Sequence, residues 1–295
     1  MTEFSKIEWC DHTFNPWWGC VRVSPACRFC YADTQARRYG HQVWRKRGPR
    51  RLLSDANWAK PLKWNRDAEK SGVPAKVFCA SMADVFEDHP DVAEPRKRLW
   101  NLIEATPWLR WLLLTKRPEN IAAMAPWGAE WPPHVWVGTS VENQRFAEER
   151  IPILLRVPAA VLFLSCEPLL GPVDLRNLCD ANGALIDCLT GEVKAQDGRE
   201  VHASAPNSVS WVITGGESGS RARPTELAWI RSLIEQCRDA HAAPFVKQLG
   251  TAWAGGTLVN GRSIVGWGDR KGSNPLYWDV DLRVREMPHS VGAVA

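Results

Sequence analysis

The chain has 295 residues, 45% of them hydrophobic, and a formal net charge of +4 at pH 7. This size and apolar content suit one large domain such as an α/β barrel, and no run of about eighteen apolar residues exists that could span a membrane. The polar start, Met1–Lys6, lacks the apolar core of a secretion signal, so we expect a cytoplasmic protein with free thiols.

The first predicted elements surround a cysteine-rich loop. A strand within 6–18 leads into this loop, and a short helix at 31–40 follows it and ends at Gly40. Residues 41–65 are predicted to be irregular. They are basic and carry interleaved tryptophans, which indicates either a solvated surface or a surface that binds phosphate.

A regular alternation of strands and helices begins near residue 76. The predicted strands are 76–81, 111–115, 134–139, 160–165, 210–214 and 244–248, and the predicted helices are 92–105, one from Arg117, 142–156 and one from Pro224. Short apolar strands that alternate with helices are typical of parallel sheets covered by helices. With the first strand, this pattern predicts an α/β fold that is a full or partial (β/α) barrel with outer helices.

Two segments interrupt the alternation. Residues 176–208 are polar and contain glycine, which predicts an inserted hairpin or loop. The segment 251–295 is predicted to be a C-terminal cap or tail. We therefore expect one barrel domain over residues 1–250, with the insert inside it, followed by the cap.

The cysteine loop reads Cys20-Val-Arg-Val-Ser-Pro-Ala-Cys27-Arg-Phe-Cys30. Three thiols this close can bind one metal centre and leave one position open for a ligand that is not protein. A closed zinc site normally needs a fourth protein ligand, for which the candidates are Cys10, His12 and Cys79. Two hypotheses follow: an iron–sulfur cluster with an open iron, or a zinc-stabilised nucleic-acid-binding module without catalysis.

Polar side chains follow nearly every predicted strand. Each one alone can cap the next helix, but together they predict a polar pocket at the carboxyl ends of the strands, where barrels carry their chemistry. These side chains are Ser81, Asp84, Glu87, Thr115, Lys116, Arg117, Ser140, Glu142, Asn143, Cys166, Glu167, Glu217, Lys247 and Gln248.

The end of the loop, Cys27-Arg-Phe29-Cys30, has an aromatic residue directly before its last cysteine. It resembles the cluster loop of radical S-adenosylmethionine (SAM) enzymes. Over nearly its whole length the chain is similar to a phage- and prophage-associated radical-SAM-like family with a three-cysteine motif. The segments that carry this resemblance are Trp17–Cys20, Cys30–Ala32, Ser81–Phe86, Leu114–Pro118, Gly138–Asn143, Cys166–Pro172, Gly215–Ser218 and Phe245–Gln248. The chain departs from most radical SAM enzymes in its longer spacing between the first two cysteines, and its Gly-Gly-Glu element follows the sixth strand instead of the second.

The resemblance implies that Cys20, Cys27 and Cys30 hold a [4Fe–4S] cluster whose fourth iron binds SAM. A flavodoxin- or ferredoxin-like protein would donate the electron that cleaves SAM to a 5′-deoxyadenosyl radical. The resemblance also assigns Phe29 to the cluster or the adenine, Ser81 and Asp84 to the SAM amino group, Ser140 and Glu142 to the ribose, and Arg150 to the SAM carboxylate.

Four further residues are candidates for catalysis: Cys166, Glu167, Glu217 and Lys247. Cys166 is either a buried small hydrophobe or a donor of a hydrogen atom to a radical. Glu217 and Lys247 either contact substrate or cofactor or form an ion pair at the rim. The phage context and the basic segment suggest a DNA base or nucleotide as substrate, for modification or repair, with SAM either consumed or regenerated.

Overall fold

A computed structural model describes residues 5–180, 183–195, 200–259 and 261–288. The chain divides into two compact units. Unit 1 consists of Met1–Gly138 with Val157–Ala160, and unit 2 consists of Thr139–Arg156 with Val161–Ala295. No helix among the described residues is long and apolar enough to cross a membrane.

The described part of the chain contains short and long strands in both units. In chain order they are β1 (His12–Thr13), β2 (Trp17–Trp18), β3 (Arg51–Leu52), β4 (Ala75–Cys79), β5 (Leu109–Thr115), β6 (Val135–Ser140), β7 (Val161–Cys166), β8 (Leu178–Cys179), β9 (Leu185–Ile186), β10 (Glu192–Lys194), β11 (Glu200–Ser204), β12 (Val209–Gly215), β13 (Ala243–Gln248), β14 (Leu258–Val259) and β15 (Arg262–Ser263).

The α-helices are α1 (Tyr31–Arg38), α2 (Asp55–Trp58), α3 (Lys60–Ser71), α4 (Ala93–Glu104), α5 (Ile121–Met124), α6 (Gln144–Leu154), α7 (Leu227–Asp239) and α8 (Thr251–Gly256). Short 3₁₀ turns occur at Pro25–Cys27, Pro90–Val92, Pro118–Asn120, Ile264–Trp267, Pro275–Tyr277 and Val280–Leu282.

The main sheet of the described chain has seven strands in the order β1-β4-β5-β6-β7-β12-β13. In unit 1 the pairs β1–β4 and β4–β5 are parallel, and in unit 2 so are β7–β12 and β12–β13. No described pairing joins β1 to β13, so the sheet is open. The predicted α/β fold with a parallel sheet and flanking helices is confirmed, in the partial form of the predicted barrel.

The strands of the alternation lie within two residues of their predicted bounds. All six residues of β7 are buried, as are all six of β6, which is the pattern expected when a sheet is covered on both faces. The face of α7 that the sequence pattern predicts to be apolar is buried at Ile230, Leu233 and Ile234. Continuous burial of the strands and period-3.6 burial of the helices therefore account for these elements.

The prediction of an irregular segment over 41–65 is wrong for its second half. This part contains α2 and the start of α3, and both Trp58 and Trp64 are buried. The helices begin where Ser54 is extended at the N-cap and where Pro61 falls in the first turn, which are both helix-start signals. These two tryptophans therefore belong to the core and not to an exposed surface.

The predicted helix starts at Arg117 and Pro224 also need correction. After Arg117 the chain makes only the 3₁₀ turn Pro118–Asn120 and the four-residue α5. After Pro224, α7 begins only at Leu227, and its N-cap residue Glu226 is extended. Buried Thr225 donates its hydroxyl to the Leu169 carbonyl at 2.8 Å, which holds the segment before the helix.

The insert and the tail both belong to unit 2. The insert forms a four-stranded sheet in the order β11-β10-β9-β8, with antiparallel pairs; residues 181–182 and 196–199 of the predicted insert lie outside the described residues. The described tail packs on β13, where the Val246 amide donates to the Val284 carbonyl at 2.8 Å. The last predicted tail residues, 289–295, lie outside the described residues.

Gly216 sits at a close backbone approach after β12. A Cβ atom there would lie 2.3 Å from the Leu249 carbonyl oxygen, so any side chain would force the backbone apart. We expect Gly216→Ala to lower the free energy of unfolding by about 1–3 kcal/mol. Gly255→Ala is the matched control, because a Cβ at this helical glycine meets nothing within 4 Å. Thermal unfolding checks both variants, and a wild-type midpoint for Gly216→Ala would contradict the packing described.

Candidate metal centre

The cysteine loop begins at Gly19, directly after β2. Gly19 has φ +123° and its amide donates to the Met82 carbonyl at 3.0 Å, which ties the loop to the end of β4. A Cβ at Gly19 would lie 2.6 Å from the Val43 carbonyl oxygen, so both the backbone angle and the space require glycine. The loop then passes through the 3₁₀ turn Pro25–Cys27 and ends at Cys30, the N-cap residue of α1.

All three loop cysteines are free and half-buried. Burial raises the pKa of Cys20 to about 12, an effect that the nearby Asp84 carboxylate strengthens. Burial also acts on Cys27, but the Lys116 ammonium and hydrogen bonds from the Ser24 region outweigh it and lower its pKa. Burial raises the pKa of Cys30, with Lys116 acting in the opposite direction. The loop thus presents thiols to a partly dry, locally cationic environment.

Arg117 connects this loop to the core of unit 1. Its Nη1 atom lies 3.5 Å from Cys20 Sγ and its Nη2 atom donates to the Val21 carbonyl at 2.8 Å. Nη1 also donates to Asp84 Oδ2 at 2.8 Å, and both side chains of this ion pair are less than a tenth exposed. One guanidinium therefore fixes the position of the loop and brings a positive charge to the first thiol.

Asp84 holds Arg117 in place and is itself fully engaged. Its Oδ1 accepts from the Thr115 hydroxyl at 2.7 Å and from the Phe86 amide at 3.1 Å. Its Oδ2 accepts from the Lys116 amide at 3.1 Å in addition to Arg117. These four donors match the acceptor capacity of a carboxylate. The geometry makes Asp84 the orienting partner of Arg117, and its predicted contact with the SAM amino group stays a prediction.

A second buried ion pair lies beneath the first. Arg50 donates to both oxygens of Glu87, at 2.8 and 2.9 Å, and to the carbonyls of Val43, Arg45 and Gly48. The Arg50 side chain is fully buried. Arg50 therefore cannot contact phosphate with its basic neighbours, which corrects the expectation that the whole basic segment forms one surface. Arg45, Lys46, Arg47 and Arg51 are exposed.

The donor set of the loop is of the type that iron–sulfur clusters use. Three soft thiols arrive from one loop beside two cations, and thiolate clusters carry negative charge that such cations balance. Among the described residues, no group of three or more His, Cys, Asp or Glu side chains is arranged to hold a metal ion. The proposed fourth zinc ligands have other contacts: Cys10 donates to Ser5 Oγ at 3.3 Å and His12 stacks on Trp64 at 4.3 Å.

Two other predicted site residues belong to unit 1: Phe29 lies within the loop, and Ser81 contacts the helix that follows it. Phe29 is half-buried, with the Arg28 guanidinium 5.2 Å from its ring centre. The Ser81 hydroxyl accepts from the Asn15 amide at 3.1 Å, and the Ser81 carbonyl accepts from the Tyr31 hydroxyl at 2.8 Å. The bond from Tyr31 holds Ser81 against the first residue of α1, which directly follows Cys30.

The remaining predicted site residues belong to unit 2. Arg150 donates to Glu142 Oε2 at 2.9 Å and to the Ser140 carbonyl at 2.7 Å, and both charged side chains are buried. Glu142 Oε1 is buried and has no hydrogen-bond partner among the described residues. The structure therefore brings these three predicted cofactor residues together, with one carboxylate oxygen available as an acceptor.

The predicted catalytic residues of unit 2 form two ion pairs. Lys247 donates to Glu167 Oε2 at 3.2 Å, and Arg223 binds the Glu217 carboxylate through its backbone and side chain. The alternative of a Glu217–Lys247 ion pair is therefore wrong, because each has a different partner. Cys166 is fully buried, and burial raises the pKa of its thiol.

Sequence reasoning missed the roles of Arg117, Arg50 and Arg223. Arg117 and Asp84 follow neighbouring strands, and this adjacency is the signal that could have paired them. Arg50 could not be distinguished from its exposed basic neighbours, because the sequence of a basic run does not show which of its residues is buried.

A family comparison covers most of the chain. Residues 4–270 match a family model described as a protein of unknown function, DUF5131, and the chain belongs to this family. Comparisons with curated proteins and with solved structures found no match.

We expect Arg117→Ala to lower the free energy of unfolding by about 3–5 kcal/mol, because it leaves the Asp84 carboxylate buried without its cation. Lys97→Ala is the matched control in the same unit, since its ion pair with Glu94 is exposed and contributes at most about 0.5 kcal/mol. Urea denaturation of the metal-free protein measures both. Equal stability of the two variants would show that Arg117 does not anchor the loop.

Proposed function

We propose that this protein is a radical SAM enzyme that acts on a DNA base or nucleotide. The observation that carries the proposal is the cysteine loop: three free thiols in the segment that follows β2, with Arg117 against the first and Lys116 acting on the other two. The resemblance to radical SAM proteins supplies the cluster and SAM as the groups that such a loop would hold.

Cys20, Cys27 and Cys30 would bind the [4Fe–4S] cluster, which supplies the one-electron chemistry that cleaves SAM to a 5′-deoxyadenosyl radical. The residues around the loop contribute positive charge beside the thiols and hold the loop in position. Arg117 holds the loop through the Val21 carbonyl and balances negative charge at Cys20. A flavodoxin- or ferredoxin-like protein is the proposed electron donor.

Each unit contains residues that the resemblance assigns to SAM. In unit 1, the Ser81 and Asp84 positions are the proposed contacts of the amino group, where a contact with Asp84 would replace one of its four present donors, and Phe29 is the proposed contact of the cluster or adenine. In unit 2, Glu142 Oε1 is a buried acceptor without a donor among the described residues, and a ribose hydroxyl would supply one. Arg150 already donates to the other oxygen of the Glu142 carboxylate. To contact the SAM carboxylate as proposed, its guanidinium would have to bond to both carboxylates.

Catalytic roles are proposed for Cys166, Glu167, Glu217 and Lys247. The Glu167–Lys247 pair can hold and move a proton at Lys247 Nζ, because both groups are mostly but not wholly buried. Glu217, clamped by Arg223, would act through charge and hydrogen bonding. Cys166 would donate a hydrogen atom as a protonated thiol, and its burial favours that form.

Anaerobic reconstitution with iron and sulfide tests the proposal. We expect about four irons per chain, loss of most of the iron in Cys27→Ala, and release of 5′-deoxyadenosine from SAM under reducing conditions. Cys179→Ala is the matched control, because this free, half-buried cysteine lies in the insert. It should keep both iron and SAM cleavage. Stoichiometric zinc without iron would instead support the zinc-stabilised nucleic-acid-binding module.

A further inference from the structure

A large open cleft lies within unit 1. Part of its wall is α1, the helix that follows the cysteine loop. Its volume is about 1150 Å³, which is ample for a nucleotide. The walls come from the start of the chain, from α1, from residues 51–60 and from Ser81–Met82. Tyr31, which follows Cys30 directly, is one of its lining residues, so the cleft and the cysteine loop share an element.

The cleft is cationic. Lys6, Arg51 and Lys60 line it, and none of its described lining residues is an aspartate or glutamate. No ion pair involves these three cations among the described residues. Asp55, the acid nearest in sequence to Arg51 and Lys60, is instead bound by Arg98 at 2.8 Å. An unbalanced positive cleft favours an anionic ligand.

The same cleft carries a group of aromatic rings. Trp18 lies at its base, with Tyr39 at 6.0 Å and His41 at 5.8 Å between ring centres. The Arg51 guanidinium covers Trp18 at 4.7 Å. Tyr39 is 65% exposed and Tyr31 is 50% exposed, which is unusual for rings that serve only packing. Exposed rings next to cations are the arrangement on which unpaired bases stack.

One amide in the cleft can contact the edge of a base. The Asn15 and Asn57 side chains are engaged in holding the cleft wall, at Ser81 and at the Asn15 carbonyl respectively. Gln35 is exposed on α1 and lines the cleft, and no hydrogen bond of its side chain occurs among the described residues. The cleft therefore combines phosphate-binding, stacking and hydrogen-bonding groups.

We propose that this cleft binds a nucleotide of single-stranded nucleic acid, with Arg51 and Lys60 on its phosphates and Tyr39 stacked on its base. The assignment of this cleft as the substrate site of the enzyme rests on the proposed function, and it specifies nucleotides as the substrate class. Binding itself depends only on unit 1 and needs no cluster.

Fluorescence anisotropy with a fluorescein-labelled oligo-dT of about twelve nucleotides tests the proposal, on the full chain both metal-free and reconstituted. Arg51→Ala/Lys60→Ala should weaken binding at least about tenfold and reduce the salt slope by about 0.7 for each cation removed. Tyr39→Ala should weaken binding about 5- to 100-fold, and Tyr39→Phe should bind like wild type because the ring remains.

The control Lys46→Ala/Arg47→Ala removes two exposed cations that do not line the cleft, and it should bind like wild type. Competition with free dTMP distinguishes the two sources of the ligand: strong competition indicates a mononucleotide site, and weak competition indicates a strand site. Both outcomes support the cleft as a nucleotide site.

The inference is overturned if the oligonucleotide does not bind, if the control loses as much affinity as Arg51→Ala/Lys60→Ala, or if a blunt duplex of equal length binds more tightly. Iron content and SAM cleavage are measured on the same variants. Loss of oligonucleotide binding with iron retained supports the cleft, whereas binding through the cleft by a protein that takes up no iron would refute the proposed enzyme and leave the nucleotide site standing.

Discussion

The cysteine loop of unit 1 depends on one buried guanidinium. Arg117 joins Cys20 Sγ, the Val21 carbonyl and the Asp84 carboxylate, and Asp84 is fixed in turn by the Thr115 hydroxyl and two backbone amides. Because the loss of either charge would leave the other unpaired in a dry environment, the pair defines where the loop must lie.

The Arg50–Glu87 pair extends this network beneath the loop. Arg50 occupies the space beside Gly19, where a Cβ would lie 2.6 Å from its Cδ atom, so the entry of the loop and the second ion pair are packed together. Burying four charges is costly unless each is paired and hydrogen-bonded, and here each group takes part in an ion pair and in at least two hydrogen bonds. Such an arrangement fixes the position of Cys20, the first thiol of the loop.

Much of the fold could be predicted from sequence, because buried strands appear as apolar runs and buried helix faces as apolar residues at helical spacing. The continuous apolar runs of β6 and β7 and the polar residues at strand ends were sufficient to predict the parallel sheet and most site candidates. Partner choice was not predictable: Glu217 binds Arg223 and Lys247 binds Glu167, since pairing depends on distances that no one-dimensional pattern contains. The helices within 41–65 were missed because their tryptophans resembled an aromatic-basic surface.

In the proposed enzyme, the three thiols hold a cluster with one iron open to SAM. Electron paramagnetic resonance of the reduced, reconstituted protein, with and without SAM, is the decisive measurement. We expect a [4Fe–4S] signal that changes when SAM is added, because the cofactor would bind the open iron. A signal that SAM leaves unchanged, or no cluster signal at all, would contradict it.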